Sequence, residues 1–376
     1  MTQRIPVEVF PPGEFLKDEL EAREWSQSDL AAVLGRDERL VSEIISGKRA
    51  ITPETARGLA SAFGTTPNLW MNLESTYRLS KTVHADDEVR RRATLFGFAP
   101  IKELIRRGWI EASDSIEVLE ERVRAFFGVT SFDEPLTFQG AARSSTETRT
   151  PAQCAWLIRA KQMAASVSVG KFVASRIGAL IEKLRSMLAN REDVRHVPKT
   201  LADFGIRMVI VEPLAGTRID GACFWLDEHS PAIALSMRYD KIDTFWFTLL
   251  HEIGHVKNGD GKGSDEIPFD IDLVGDKAQR TETKSDRERA ADEFASVTLI
   301  SDKEIRSFIA RIKPLYSKTK IVGFAARIGV HPGIVVGRLQ YMGEISYAHN
   351  KEMLAKVRSV VIPSTLTDGW KSVVAA

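Results

Sequence analysis

The residues His251-Glu252-Ile253-Gly254-His255 carry the most specific chemistry in the chain. On a helix, positions four apart point the same way, so both imidazoles can bind one divalent cation such as Zn²⁺. The carboxylate of Glu252 then lies beside that ion. It can take a proton from a water whose pKa the ion lowers toward about 7, which is hydrolytic chemistry at neutral pH. Such a site needs a third protein ligand and an open fourth position. Glu288, in Glu288-Arg289-Ala290-Ala291-Asp292, is the best candidate, and Asp286 is its nearest competitor. Glu288 and Asp292 are again four apart, on one helix face. Asp292 is placed to accept a hydrogen bond from the far nitrogen of a ligand histidine, which fixes its tautomer. The opposing reading of this stretch is a solvated charged face, because Asp286-Arg287-Glu288-Arg289 alternates in sign. For an oxyanion the chain offers Tyr239 and His331, and both read more readily as structural.

A second group of residues could read nucleic acid. Residues 26–47 have helix-turn-helix spacing, with a turn at Gly35 and a second helix stopped by Gly47. In such a pair the second helix enters the major groove while the first crosses the backbone. Ser26-Gln27 at a helix N-terminus can bind phosphate through side chains and free N–H groups. The expected contacts are Gln27, Ser28, Arg36, Glu38, Arg39, Ser42, Lys48 and Arg49. Residues 1–78 hold nine Lys/Arg against twelve Asp/Glu, a net charge of −3. Asp37, Glu38 and Glu43 fall on the presumed reading helix itself. A lone module of this charge should have little non-specific affinity. Specific binding then calls for a dimer and a local basic rim of Arg36, Arg39, Lys48 and Arg49. The alternative is a helical module for protein contacts.

The positioning elements follow from pattern. Short helices fill the stretch to about Arg78, with N-caps at Ser26 and Thr52 and Pro53 at a first helical position. Residues 80–195 read as mostly helical, with helices over 117–127 and 155–188 and a loop over 130–150. After a polar stretch at 190–198 the period becomes strand-like. Three short strands are expected at 206–211, 219–225 and 232–236. An apolar helix from about Asp243 then carries Phe245, Trp246, Phe247, Leu249 and Leu250 into His251. A polar stretch, 258–286, leads to the helix bearing Glu288. The fold class is α+β: an all-α helix-turn-helix domain over 1–79, a helical connecting or dimerisation region over 80–195, a zincin-like domain with a small sheet over 196–345, and a tail over 346–376.

Composition bounds the rest. The chain has 376 residues, 43% of them hydrophobic and 27% charged, with a net charge of +1. These values suit a folded, water-soluble protein and give no global pull toward nucleic acid or membrane. Cys154 and Cys223 have apolar neighbours and read as inert buried thiols in a reducing compartment. No secretory leader or membrane helix is evident, so the expected location is the cytoplasm. The glycine-rich stretch 259–264 lacks the order of a phosphate loop and reads as a plain loop.

Two resemblances sharpen these expectations. HEIGH preceded by Phe245-Trp246-Phe247-Thr248-Leu249-Leu250, with E-x-x-A-D-x-F-A from Glu288, resembles the ImmA/IrrE metallopeptidases over about residues 201–339. The resemblance implies Zn²⁺ held by His251, His255 and Glu288, with Glu252 as general base. S-Q-x-x-L-A at 26–31, I-S-G-K-R-A-I-T-P-E-T-A at 45–56 and P-N-L-W-M-N-L at 67–73 look like HigA-type antitoxins of the Xre/Cro-like class. That likeness implies a homodimer that binds operator DNA at its own promoter and neutralises a RelE/HigB-like toxin. The segment 326–339 resembles the tail of HigA fusions to such peptidase domains. It looks like a second helix-turn-helix, but Val335, Val336 and Leu339 suggest a buried helix. Three functions compete: an active protease with a DNA-targeting module, a regulator whose metal domain only binds or senses, and a scaffold with a relic site.

Overall fold

The computed structural model describes residues 9–81, 83–132, 149–263, 267, 269–274, 284–370 and 372–373. The chain divides into two compact units, residues 1–94 and 95–376.

The first unit is helical: α1 (Pro12–Glu21), α2 (Gln27–Leu34), α3 (Glu38–Ile45), α4 (Pro53–Phe63) and α5 (Pro67–Lys81), with α6 (Val83–Phe98) running across the division. Local chemistry sets the helix ends. Ser26 accepts the Asp29 N–H, and the Asp29 carboxylate accepts the Ser26 N–H at 2.8 Å, so the capping box is complete. Gly35 closes α2 with φ near 61°, where a side chain would be strained. Leu16, Leu30, Val41, Ile44, Leu59 and Trp70 form a buried core. A Cβ on Gly13 would stand 2.3 Å from the Ile45 carbonyl oxygen, so α1 sits directly on the end of α3.

The second unit is built on a six-stranded sheet in the order β4-β2-β3-β1-β5-β6. Its strands are β1 (Arg207–Val211), β2 (Ile219–Trp225), β3 (Pro231–Leu235), β4 (Phe269–Ile271), β5 (Leu366–Gly369) and β6 (Ser372–Val373). β1 runs parallel to β3 and β5, and the remaining pairs are antiparallel. Side chains alternate between two cores. Met208, Ile210, Cys223 and Ile233 enter one, while Val209, Val211, Ala222, Phe224 and Ala234 enter the other. Both faces are therefore covered, which is why these strands read as near-continuous apolar runs.

The first core is closed by α10 (Ile177–Arg185), α11 (Val197–Asp203), α12 (Ile242–Asn258), α13 (Asp286–Leu299), α14 (Asp302–Ile312), α15 (Lys318–Ile328) and α16 (Pro332–Tyr341). The second is closed by α7 (Ile101–Arg106), α8 (Ile116–Phe127) and α9 (Pro151–Ser166). Trp156 of α9 donates its indole N–H to the Val211 carbonyl at 2.9 Å. Residues 95–164 thus belong to the same unit as the sheet, whereas the sequence pattern set 80–195 apart. The bare second face of the sheet is the reason, since a sheet with two apolar faces needs a layer on each. The helix expected over 155–188 is two helices, α9 and α10, because the chain breaks after Ser166. The expected tail supplies α17 (Arg358–Val361), β5 and β6, and Val357 and Val361 are fully buried. Val335, Val336 and Leu339 of α16 are also fully buried. Both cysteines are free and buried. Most of the loop expected over 130–150 lies outside the described residues, as do Ser264 and parts of the polar stretch 258–286. Among the described residues no single helix is long and apolar enough to cross a membrane.

Candidate metal centre

α12 is buried along almost its whole length, and His251, Glu252 and His255 have no exposed surface. Helix α13 crosses it closely at Gly254. A Cβ there would lie 3.2 Å from the Ala291 Cα, so the small pair Gly254 and Ala291 lets the backbones approach. One turn earlier on α13 stands Glu288, whose N–H is capped by Ser285. That crossing delivers its carboxylate to the histidines.

The distances describe a tight group. The two Nε2 atoms lie 3.0 Å apart. Glu288 reaches His251 Nε2 at 3.2 Å and His255 Nε2 at 3.5 Å. Donors around a tetrahedral zinc with bonds of about 2.0–2.1 Å are separated by roughly 3.3 Å. The observed spacings bracket that value. The structure also brings in Asp270 of β4, whose Oδ1 is 3.1 Å from His251 Nε2. One donor atom from each of His251, His255, Asp270 and Glu288 lies within 4.8 Å of all the others.

The far sides of the imidazoles also face carboxylates. Asp292 Oδ1 lies 3.0 Å from His251 Nδ1, and Asp260 Oδ2 lies 2.9 Å from His255 Nδ1. Lys284 donates to the second oxygen of Asp292 at 2.7 Å. With both Nδ1 atoms facing carboxylates, the Nε2 lone pairs and two further carboxylates converge on one point. Such a set of acceptors requires positive charge at its centre. Glu252 stands beside this group, both its oxygens buried and without a hydrogen-bond partner among the described residues. Burial and the neighbouring Asp270 carboxylate hold it well above the usual carboxylate range. Its cradle is Gly221 of β2, where a Cβ would come 2.1 Å from Glu252 Oε1. The donor set fits a divalent cation of the zinc kind.

Burial opposes a charge on His255, but Asp260 and Glu288 outweigh it and push the imidazole up to about 9. The metal-free protein therefore keeps a proton there at neutral pH. Its stabilising contribution is complete below the ordinary value of 6.5 and is lost as pH climbs through 9. A metal must expel that proton. We expect zinc affinity to rise with pH across this window, measured by competition titration, while the metal-free protein becomes easier to denature.

Of the sequence-predicted residues, His251, Glu252, His255, Glu288 and Asp292 come together here. Asp286 does not: its side chain is 92% exposed and paired with Arg289. Asp260 and Asp270 escaped sequence reading. Asp260 carried a local signal, lying directly after the helix-ending Gly259, with its N–H bonded to the His255 carbonyl. Asp270 carried none, because pairing with a strand some fifty residues earlier places it. His331 is the N-cap of α16, its Nδ1 accepting the Gly333 N–H at 3.0 Å, and is taken up there. Tyr239 lines a partly open cavity together with Phe247, Leu273, Leu299, Arg338 and Tyr341. The Phe247 ring lies 6.3 Å from that of His251, so this cavity adjoins the donors.

In the first unit, Ser28, Arg36, Glu38, Arg39, Ser42, Lys48 and Arg49 are exposed and Gln27 is half-buried. Arg39 and Arg49 both pair with Glu43, at 2.8 and 3.3 Å, and Arg36 pairs with Glu54. Of the acidic residues on the presumed reading helix, Glu43 is thus neutralised from both sides.

Comparison with known proteins divides the chain in the same way. Residues 16–70 match the helix-turn-helix family model, and residues 202–340 match a peptidase family model described as the IrrE N-terminal-like domain. A Haemophilus influenzae helix-turn-helix transcriptional regulator is 38% identical over 85 residues, 22% of this chain and 77% of that protein. The Escherichia coli helix-turn-helix regulator YddM is 28% identical over 81 residues, 22% of this chain and 86% of that protein. Among solved structures, the Pseudomonas aeruginosa antitoxin HigA with its higBA promoter is 33% identical, with 21% of this chain and 88% of that one covered and a TM-score of 0.21.

Proposed function

This chain belongs to the helix-turn-helix transcriptional regulators and carries an IrrE N-terminal-like domain, and on that basis we propose a zinc-dependent peptidase joined to a HigA-type antitoxin and repressor. The observation that carries the peptidase half is the convergence of His251, His255 and Glu288 beside a fully buried Glu252. A Zn²⁺ held by those three residues would polarise a peptide carbonyl and make a water more acidic. The chain's own groups supply the remainder. Glu252 accepts the proton of the attacking water and passes it to the leaving amine. Asp292 and Asp260 fix the tautomers of the two imidazoles. The aromatic and aliphatic wall of the adjoining cavity gives an apolar substrate side chain somewhere to go. The test is co-expression with the product of the adjacent gene and a search for cleavage by mass. Fragments that persist with a chelator, or that never form, would overturn the hydrolase.

The DNA half rests on the exposed row Ser28, Arg39, Ser42, Lys48 and Arg49. We read it as an operator surface acting in the cytoplasm, used by a homodimer at the chain's own promoter, with a RelE-like toxin as further partner. The ion pairs of Arg39 and Arg49 with Glu43 are exposed and weak enough to be exchanged for phosphates. Lys48→Ala should weaken binding about equally for all sequences and lower the salt slope by about 1. Gel shifts on the upstream region over a salt series would show it; no shift at low salt removes the operator claim.

A second reading, a regulator whose site binds metal without catalysis, is favoured by one observation. Asp270 brings another carboxylate to the donors.

A further inference from the structure

We infer that Asp270 is a fourth protein ligand and that β4 is an internal occupant of the substrate channel, so that the resting chain is closed. This rests on the metal site proposed above. Catalytic zinc sites use three protein ligands and leave a corner open, while structural sites use four. Here four side-chain donors share one point, and the fourth comes from a separate element. Asp270 is itself 4% exposed, and its second oxygen has no partner among the described residues.

The carrier of Asp270 is short and lies at the rim. β4 has three residues and forms the outer edge of the sheet, antiparallel to β2, with Ile219 opposite Ile271 and Ala222 opposite Phe269. The edge it covers is the one beside α12. An extended peptide recognised by this unit would have to pair with that edge to bring a carbonyl to the donors. β4 already makes those bonds. Its register sets Asp270 opposite Gly221, the glycine that accommodates Glu252. Glu252 has no exposed surface in this arrangement. A substrate carbonyl cannot come between it and the donors while β4 is seated.

A polar latch holds the strand at its C-terminal end. Arg238 donates to both oxygens of Asp220, at 3.1 and 3.0 Å, and to Asp272 at 2.9 Å. The Leu273 N–H donates to Asp220 at 2.7 Å. The occupant that displaces β4 is an extended segment of the protein substrate, which replaces the same main-chain bonds on β2. Hydrolysis then starts only after strand exchange, and Asp270 leaves the metal as β4 leaves the sheet.

The test loads wild type, Asp270→Asn and Asp270→Ala with Co²⁺ and follows its visible spectrum, using azide as a small probe of a vacant position. Asp270→Asn keeps side-chain volume and β4 pairing, so it controls for misfolding. The expected result is a wild-type spectrum indifferent to azide and variant spectra that shift with it. Release of cobalt to a chelator should be about 10-fold faster in the variants, and casein hydrolysis faster by a similar factor. A wild-type spectrum that responds to azide as the variants do, with release unchanged, would overturn the inference and leave the three-ligand site standing. Failure of every form to bind stoichiometric cobalt would sink the metal site and the inference together.

Discussion

Turnover should fall about 10²–10⁴-fold when Glu252 becomes Gln, with metal content unchanged. The substitution keeps shape and volume in a position without exposed surface, cradled by Gly221. What it removes is the ability to accept a proton, because an amide oxygen is a far weaker base than a carboxylate. The donors themselves are untouched. Stability of the metal-free protein should change little, since burial and Asp270 already favour the neutral form of Glu252 and the amide has the same shape. The measurements are metal content by elemental mass spectrometry, cleavage of the identified partner, and thermal unfolding. Equal cleavage by wild type and variant would show that hydrolysis, if present, uses another base. Parallel loss of metal would instead assign Glu252 a binding role.

The second large effect concerns Glu288. Glu288→Ala is expected to lower zinc affinity by more than about 100-fold, because loss of a group that merely orients a ligand already costs 10–100-fold. The two imidazoles hold this carboxylate far below the ordinary range, which marks how strongly it is committed to them. Asp286→Ala, two residues earlier on the same helix, should change nothing measurable, because that side chain faces solvent and pairs only locally. A competition titration with a chelating dye separates the pair. Equal affinities for wild type and Glu288→Ala would make Asp270 the third ligand in its place. That outcome would reassign the roles of α13 and β4.

These expectations differ in how directly they follow from the chain. The spacing of His251 and His255, and of Glu288 and Asp292, is a helical repeat, and a helical repeat is a local property. It places side chains on one face wherever the helix later packs. The caps at Ser26 and Thr52, the turn at Gly35 and the apolar run into His251 are local in the same sense. Each was readable without knowing any neighbour.

What pattern could not supply was anything set by a partner distant in sequence. The Gly254–Ala291 crossing decides that Glu288, and not Asp286, meets the imidazoles, since two carboxylates two residues apart point to different sides of a helix. Strand pairing decides that Asp270 joins them, although it sits among several similar aspartates with no periodic mark. Residues 95–164 and the last strands look like connectors when read alone. They belong to the core only because the sheet, once formed, has a second apolar face and an open edge to cover. Local periodicity fixes which side of an element is apolar or reactive, and only the packed fold fixes what stands opposite it.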